Sequence, residues 1–468
     1  MMHHGGRFWF ACLSVCAILA ALAVDAARAA ENDLLPLRLT IEKAVELALS
    51  HNESVRIADE SINEAKGTYR EYAADAFPQI SGVVGYTRHL ERRFSEVDMT
   101  AFNPLLAQMG APPLEKSKQY FNSQHEWDFR LMAEQNLFTF GKVSNAIRLG
   151  SVFKKIAREN KQLAVKDVAL QTRQSFLTVL FAQEALSVAE SNLKLTKETY
   201  DVVRNKAKQG VMSRFDLLIV ESELAMAEPT VMAAERNLET AKQALLHVIG
   251  EPLDRTVSIV GELKFESLEG DVSEFVRRAV LQRPELRALS LQKDMYDYSH
   301  KIARALYLPT LTANATYAQS GGSDKQIWPE DEPGDASDGF QPSLNFGVQL
   351  YVPLFDGLRA YGRMKQMAAK RQTSRLQIAQ ATRGIKLEVT SLAKQIRTTE
   401  AMVAANMKAV EVAAEANHLA QLRFENGLGT RLEVTDARNN LNRAKLGLAA
   451  TLFDLNDARA RLQRAMGE

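Results

Sequence analysis

The feature that most constrains this chain is that it repeats itself. Residues 204–251 align without a gap on 421–468 at an offset of 217, with ten identities, among them Gly210/Gly427, Arg214/Arg431, Leu245/Leu462 and Gly250/Gly467. Upstream, ALSHNESVR (48–56) aligns with AVLQRPELR (279–287) at an offset of 231, and Pro78 and Tyr86 find Pro309 and Tyr317. NLFTFG (136–141) matches PLFDG (353–357). The offset changes by 14 residues between the blocks, inside a proline-containing loop where insertions are tolerated. Two copies of one unit are therefore expected, each ordered helix, strand, loop, strand, long helix, turn, helix. The chain divides into a leader (1–29), a first repeat (30–251), a connector (252–271) and a second repeat (272–468).

Composition excludes classes more than it selects one. With 46% hydrophobic residues and 58 basic against 57 acidic side chains, the chain is neither disordered nor a disulfide-stapled mini-protein. The balanced charge gives no reason to expect a nucleic-acid partner. Arg7, the apolar run 8–24 and the small residues of Ala27-Arg28-Ala29 read as a cleaved signal peptide. Cys12 and Cys16 both lie in it, so the exported chain has no thiol chemistry or disulfide. Val15 before Cys16 is the wrong neighbour for a lipidation site.

Four segments alternate with period two. In the second, Trp127, Phe129, Leu131 and Ala133 oppose Asp128, Arg130, Met132 and Glu134. In the fourth, Leu344, Phe346, Val348, Leu350 and Val352 oppose Asn345, Gly347, Gln349 and Tyr351. The third sets Leu311, Ala313, Ala315 and Tyr317 against Thr310, Thr312, Asn314 and Thr316, and the first, 79–88, is weaker. Runs of about ten residues fit tilted transmembrane β-strands, and Trp127, Phe129, Leu131, Leu344, Phe346 and Val348 are the expected lipid-facing set. The intervening loops, 89–125 and 318–340, read as long and polar. Four strands are too few to close a membrane barrel, so closure requires several chains.

The stretches 142–209 and 358–426 contain no proline and predict helices of about 100 Å at ~1.5 Å per residue. Leu149, Ile156, Leu163, Leu170 and Leu177 recur in sevens, then the stripe steps by four to Phe181, Val188 and Leu195; Val389, Ile396, Val403 and Val410 repeat the spacing. That is coiled-coil spacing. Shorter helices at 40–77 and 214–250 together match one long helix. At the turns, QGVMSRFD (209–216) and NGLGTRLE (426–433) place a helix-ending glycine, Gly210 or Gly427, before an N-cap, Ser213 or Thr430. Asp216 and Glu433 follow at capping-box spacing. Val211, Met212 and Leu428 are expected as exposed apolar contacts for a partner. Asp436 shares a helix face with Glu433, and several copies around an axis would make a cation-selecting acidic ring.

The repeated halves, the strand pairs and the tips resemble the TolC-like outer membrane efflux protein family. LTIEKAVELALSHNESVRIA, AFPQISGVVGYTR and NGLGTRLEVTDARNNL carry the resemblance, which covers about residues 36–467. It implies a mainly α chain with a transmembrane β-barrel: a homotrimer whose chains each give four strands to one barrel and long helices to a periplasmic tunnel. It implies a passive channel in the outer membrane of a Gram-negative bacterium, without a cofactor, serving efflux or type I secretion. Its partners would be a periplasmic adaptor and, through it, an inner-membrane pump. The adaptor-facing tips fall on Gly210, Val211, Met212, Ser213 and Arg214 and on Gly427, Leu428, Gly429, Thr430 and Arg431; the entrance ring falls on Glu433 and Asp436. Phe424 and Gly429 stand where some members carry polar gate residues.

An enzyme is not expected. The histidines after the leader are dispersed, His125-Glu126 lacks a zincin's second histidine, and the acids of 324–338 do not fit a calcium loop. The rival is a periplasmic coiled-coil adaptor without a barrel, which shares the helices but not four alternating strands.

Overall fold

The computed structural model describes residues 37–324, 326–329 and 339–468, so the leader with its two cysteines and most of the acidic 324–338 segment lie outside the described residues. In chain order the elements are β1 (Leu37–Leu39), α1 (Ile41–His51), α2 (Glu53–Ala74), β2 (Gln79–Arg88), β3 (Phe94–Val97), α3 (Asn103–Gln108), β4 (Ser117–Tyr120), β5 (His125–Phe138), α4 (Lys142–Lys208) and α5 (Arg214–Ile249). The second half runs β6 (Val257–Ile259), α6 (Val272–Gln282), α7 (Pro284–Ala305), β7 (Thr310–Ser323), β8 (Gly339–Tyr351), α8 (Arg359–Glu425) and α9 (Arg431–Met466).

The duplication is literal at the level of helices. α1 and α6 are 11 residues each, α2 and α7 are 22, α4 and α8 are 67, and α5 and α9 are 36. The reading of 40–77 as one helix needs correction, because the chain breaks at Asn52, and its counterpart breaks at Arg283. Both take extended backbone, ψ 130 and ψ 124. At Arg283 the cause is Pro284, whose ring disfavours a helical residue before it. At Asn52 the side chain does the work, accepting Ser54 N–H at 2.8 Å.

Each break also serves as a clasp on the helix alongside. Asn52 Nδ2 donates to Val248 O at 2.7 Å, and Arg283 Nε donates to Ala465 O at 2.6 Å. These are equivalent positions of the two repeats filled by different chemistry. α5 and α9 then end in left-handed glycines, Gly250 (φ 74) and Gly467 (φ 84). A Cβ on Gly250 would meet His51 O at 3.0 Å, and one on Gly467 would meet the Gln282 backbone at 3.1 Å, so both glycines are fixed by close approach as well as by φ.

The chain forms two compact units. The first contains residues up to 63, 156–290 and 376–468; the second contains 64–155 and 291–375. The first unit holds two apolar cores related by the repeat. One gathers Leu39, Ala48, Phe176, Val179, Leu245 and Ile249; the other gathers Phe275, Ala279, Val389, Ile396, Leu455 and Leu462. The heptad positions Leu177, Val188, Val389, Ile396 and Val403 are all buried. Fully burying one such side chain contributes roughly 1.5–3 kcal/mol. A short parallel pairing of β1 with β6 closes the first repeat's core.

The second unit is an antiparallel sheet in the order β2-β5-β7-β8, with helical segments attached. Within it α4 comes close to α2 at Gly150, where a Cβ would meet Tyr69 Cα at 3.0 Å. The connection 89–124 is not a plain polar loop as expected: it holds the β3–β4 ladder and α3, and several of its apolar side chains are exposed.

Candidate functional site

Two surfaces carry the candidate residues, one in each unit. In the sheet, residues paired across neighbouring strands lie on one face, so the register itself sorts the side chains. One row reads Gly82, Leu131, Tyr317, Leu344, and the next reads Ile80, Ala133, Ala315, Phe346. Further along, Val84 and Phe129 share a row, as do Ala313 and Val348. The opposite face reads Ser81, Met132, Thr316, Asn345, then Gly85, Asp128, Ser320, Gln341, then Gln79, Glu134, Asn314, Gly347. Four strands thus share one apolar face and one polar face. Leu131, Leu344, Phe346 and Val348 are exposed on the apolar side.

Trp127 and Phe129 are only half-buried there, because the β7–β8 connection folds onto them. Trp127 Nε1 donates to Ile327 O at 2.7 Å, and the Trp328 ring lies 5.1 Å from Trp127 and 5.1 Å from Phe340. Tyr86 adds a ring at 4.9 Å from Trp127. The far end of the same strand carries a second aromatic pair, Phe138 and Phe140, 4.6 Å apart. Sequence alternation pointed to Trp127 and Phe129; Trp328 carried no such signal because it stands alone in a loop.

The helix tips form the second surface, wholly within the first unit. Gly210 (φ 77) and Gly427 (φ 76) each end a long helix in the same paired motif. Gly210 N–H donates to Ala207 O and Val211 N–H to Lys206 O; Gly427 N–H donates to Phe424 O and Leu428 N–H to Arg423 O. Ser213 and Thr430 then cap α5 and α9, accepting from Asp216 N–H at 3.0 Å and Glu433 N–H at 3.3 Å. The carboxylates at capping-box spacing act differently from the expectation. Asp216 receives the Ser213 hydroxyl at 2.6 Å, and Glu433 pairs with Arg423 at 3.5 Å.

Two docking candidates face inward rather than out. Met212 packs on a small core of Val203, Val220, Phe424 and Val434. Phe424, read from sequence as standing in a gate position, is part of that core, with Lys206 Nζ over its ring at 4.7 Å and donating to its carbonyl at 3.1 Å. Arg431 is 13% exposed and donates to Glu223 Oε1 at 2.9 Å, with Asp216 Oδ1 at 3.7 Å. Arg438, whose side chain is 4% exposed, holds Glu223 Oε2 at 3.1 Å. Glu223 therefore ties α5 to α9 through two arginines. Sequence reasoning missed it because its partners lie more than two hundred residues away. What remains exposed at the tips is Gly210, Val211, Ser213 and Arg214 on one turn and Gly427, Leu428 and Thr430 on the other; Gly429 is half-buried. Asp436 is exposed beside Glu433. Among the described residues there is no cluster of side chains suited to a metal ion and no helix apolar enough to span a membrane.

The outer membrane efflux protein family model matches residues 44–251 and 275–468. Nodulation protein T of Rhizobium leguminosarum bv. trifolii is 20% identical over 302 residues, 63% of this chain; the chain spans 61% of that relative's length. Outer membrane efflux protein BepC of Brucella suis biovar 1 is 21% identical over 420 residues, covering 89% of this chain and 81% of that one. Among solved structures, the outer membrane protein VceC of Vibrio cholerae superposes with a TM-score of 0.70 at 18% identity, over 91% of this chain and 96% of that one. That similarity extends to the fold.

Proposed function

The chain belongs to the outer membrane efflux protein family, and on that premise we propose that three copies assemble into an outer membrane conduit for efflux or type I secretion. The observation that carries this reading is the register of the sheet, which collects apolar side chains from all four strands on one face. Such a face is what a barrel presents to lipid. Aromatic side chains stand at both its ends. From Trp127 to Phe138 is eleven residues along β5. At ~3.4 Å per residue and a tilt of about 40°, that is roughly 28 Å across the membrane, near the ~25 Å apolar band of such barrels.

The sheet also explains why one chain is not enough. β2 and β8 are its edges. An unpaired edge in lipid costs several kcal/mol per backbone group. Pairing β8 of one copy with β2 of the next removes every edge, and three copies give twelve strands. The rival reading, an adaptor without a barrel, leaves the two-faced sheet without a purpose.

The exposed tip residues Val211, Arg214, Leu428 and Thr430 then form the surface for a periplasmic adaptor, through which an inner-membrane pump is reached. Glu433 and Asp436 line the entrance. Glu433 is partly neutralised by Arg423, so Asp436 carries more of the free charge. The conduit itself performs no chemistry. The assembly is tested by extraction and native mass spectrometry in detergent: a trimer is expected, and a monodisperse monomer soluble without detergent would refute it.

A further inference from the structure

The connection between β2 and β5 is an arm with a distinctive end. Its stem is the β3–β4 ladder, from Phe94 opposite Tyr120 to Val97 opposite Ser117. Arg92 lies over the Tyr120 ring at 4.0 Å and Lys118 over the Phe94 ring at 4.3 Å. Beyond the stem, residues 99–114 (MTAFNPLLAQMGAPPL) contain no charged side chain. The ends of this run are fastened. Lys116 Nζ meets Asp98 Oδ2 at 3.0 Å, Asn103 Nδ2 donates to Leu114 O at 2.9 Å, and Leu114 N–H donates to Asn103 Oδ1 at 2.6 Å. A closed loop of this size is an Ω-loop, a class that often carries function. Phe102, Leu105 and Met109 project from it with 58%, 58% and 75% of their surface exposed.

The root of the arm leans to one side of the sheet. Glu126 and Gly322 are paired and share the polar face. His89 Nε2 stands 3.2 Å from Glu126 Oε2, and a Cβ on Gly322 would meet Ser123 Oγ at 2.5 Å. Both arm roots, at 89 and at 123, therefore lie over the polar face. The β7–β8 connection does the opposite, laying Trp328 on the apolar face. Arg92 pairs with Asp324 at 2.5 Å, fixing the two connections to each other.

We propose that the knob 99–114 seats against the same knob of neighbouring copies over the mouth of the conduit. This rests on the trimer proposed above. A barrel's polar face is its lumen, so an arm rooted on that face is directed toward the symmetry axis, where identical surfaces meet. A lipid occupant fits less well. Segments that lie in a membrane interface carry Trp or Tyr with Lys or Arg, and this run has none of the four. Left bare in water, a charge-free patch of large apolar side chains is a liability that association removes. The seated knobs narrow the outer opening.

The test introduces Met109→Cys and, separately, Phe102→Cys, with the parent chain as control because its only cysteines are Cys12 and Cys16. Each variant is reacted with a short bis-maleimide in native membranes. Native mass spectrometry of the same preparation reports whether the trimer is present. Covalent dimers that take up at most two of every three chains, since each chain offers one thiol and the linker joins two, are expected for both variants and not for the parent. An intact trimer whose two variants stay monomeric on a denaturing gel overturns this inference and leaves the conduit standing; absence of a trimer overturns both. As a second readout, Phe102→Ser with Leu105→Ser and Met109→Ser is expected to raise single-channel conductance. Unchanged conductance, with the trimer intact, rejects the narrowing.

Discussion

Replacing Glu223 with alanine is expected to be among the most damaging single changes at the tips. Arg438 is nearly sealed, and its Nε and Nη1 already lack hydrogen-bond partners among the described residues. Its Nη2 bond to Glu223 at 3.1 Å is its one ion pair there. Removing one partner of a buried pair typically costs about 3–5 kcal/mol. Glu223 is 23% exposed, and water reaching the vacated site offsets part of that. A loss of about 3 kcal/mol follows, or on the order of a hundredfold in the local opening equilibrium. The assay is amide hydrogen exchange along α9 near Val434–Leu441 in the assembled protein. A cycle separates the charge from the packing. Arg438→Met alone removes the buried cation and keeps its volume, so it costs less than Glu223→Ala. The double variant should recover part of the stability lost in Glu223→Ala, since the more deeply buried arginine is no longer stranded and Arg431 keeps Asp216 at 3.7 Å. If Glu223→Ala leaves exchange unchanged, or the double variant is no better than Glu223→Ala, the buried-charge reasoning is wrong.

Other outcomes follow from the same structure. Gly467→Ala forces an L side chain to φ 84 and drives a Cβ onto the Gln282 backbone; a loss of about 1–3 kcal/mol is expected by thermal unfolding. Asp436→Asn is expected to reduce cation selectivity in planar bilayers more than Glu433→Gln, because Arg423 already offsets Glu433; the reverse order contradicts the pairing. Hydrogen bonds and charge from Arg277 and Arg278 hold the Glu274 carboxyl down to about 2. A depressed carboxylate contributes stability above its ordinary pKa, near 4.5, and loses it as pH falls toward 2. Arg277→Ala with Arg278→Ala should return the Glu274 titration, followed by carboxyl NMR, to the ordinary range.

Much of the frame was legible because it is written in spacing. The heptads through Leu177 and Val389 mark the buried stripe, and the alternation through Leu131 and Phe346 marks one face of the sheet. Gly210 and Gly427 announce the turns because few residues but glycine tolerate positive φ there. What spacing does not encode is which distant side chain a charge will meet. Arg431 reads as an exposed tip residue until Glu223, on another helix, is brought against it. Met212 reads as exposed until the core around Phe424 closes over it. The breaks at Asn52 and Arg283 differ in visibility for a similar reason: Pro284 advertises one, while the other depends on an asparagine that caps Ser54 N–H and whose clasp on Val248 appears only once that helix lies alongside. From sequence the knob at 99–114 reads as part of a polar loop because its polar flanks, Arg92 to Asp98 and Glu115 to Lys118, set the impression of the whole.

The two clasps carry a further consequence. Asn52 holds Val248 with a neutral amide, whereas Arg283 holds Ala465 with a cation that also engages Glu388 at 2.7 Å. In a three-chain ring these become six pseudo-equivalent struts that alternate between uncharged and ionic. Salt reaches the Arg283–Glu388 pair only through its exposed carboxylate, and so weakens it modestly, while the amide struts carry no charge to screen. In the proposed trimer ionic strength thus bears on every second strut alone, so any relaxation it drives follows the threefold axis and not the near-sixfold one.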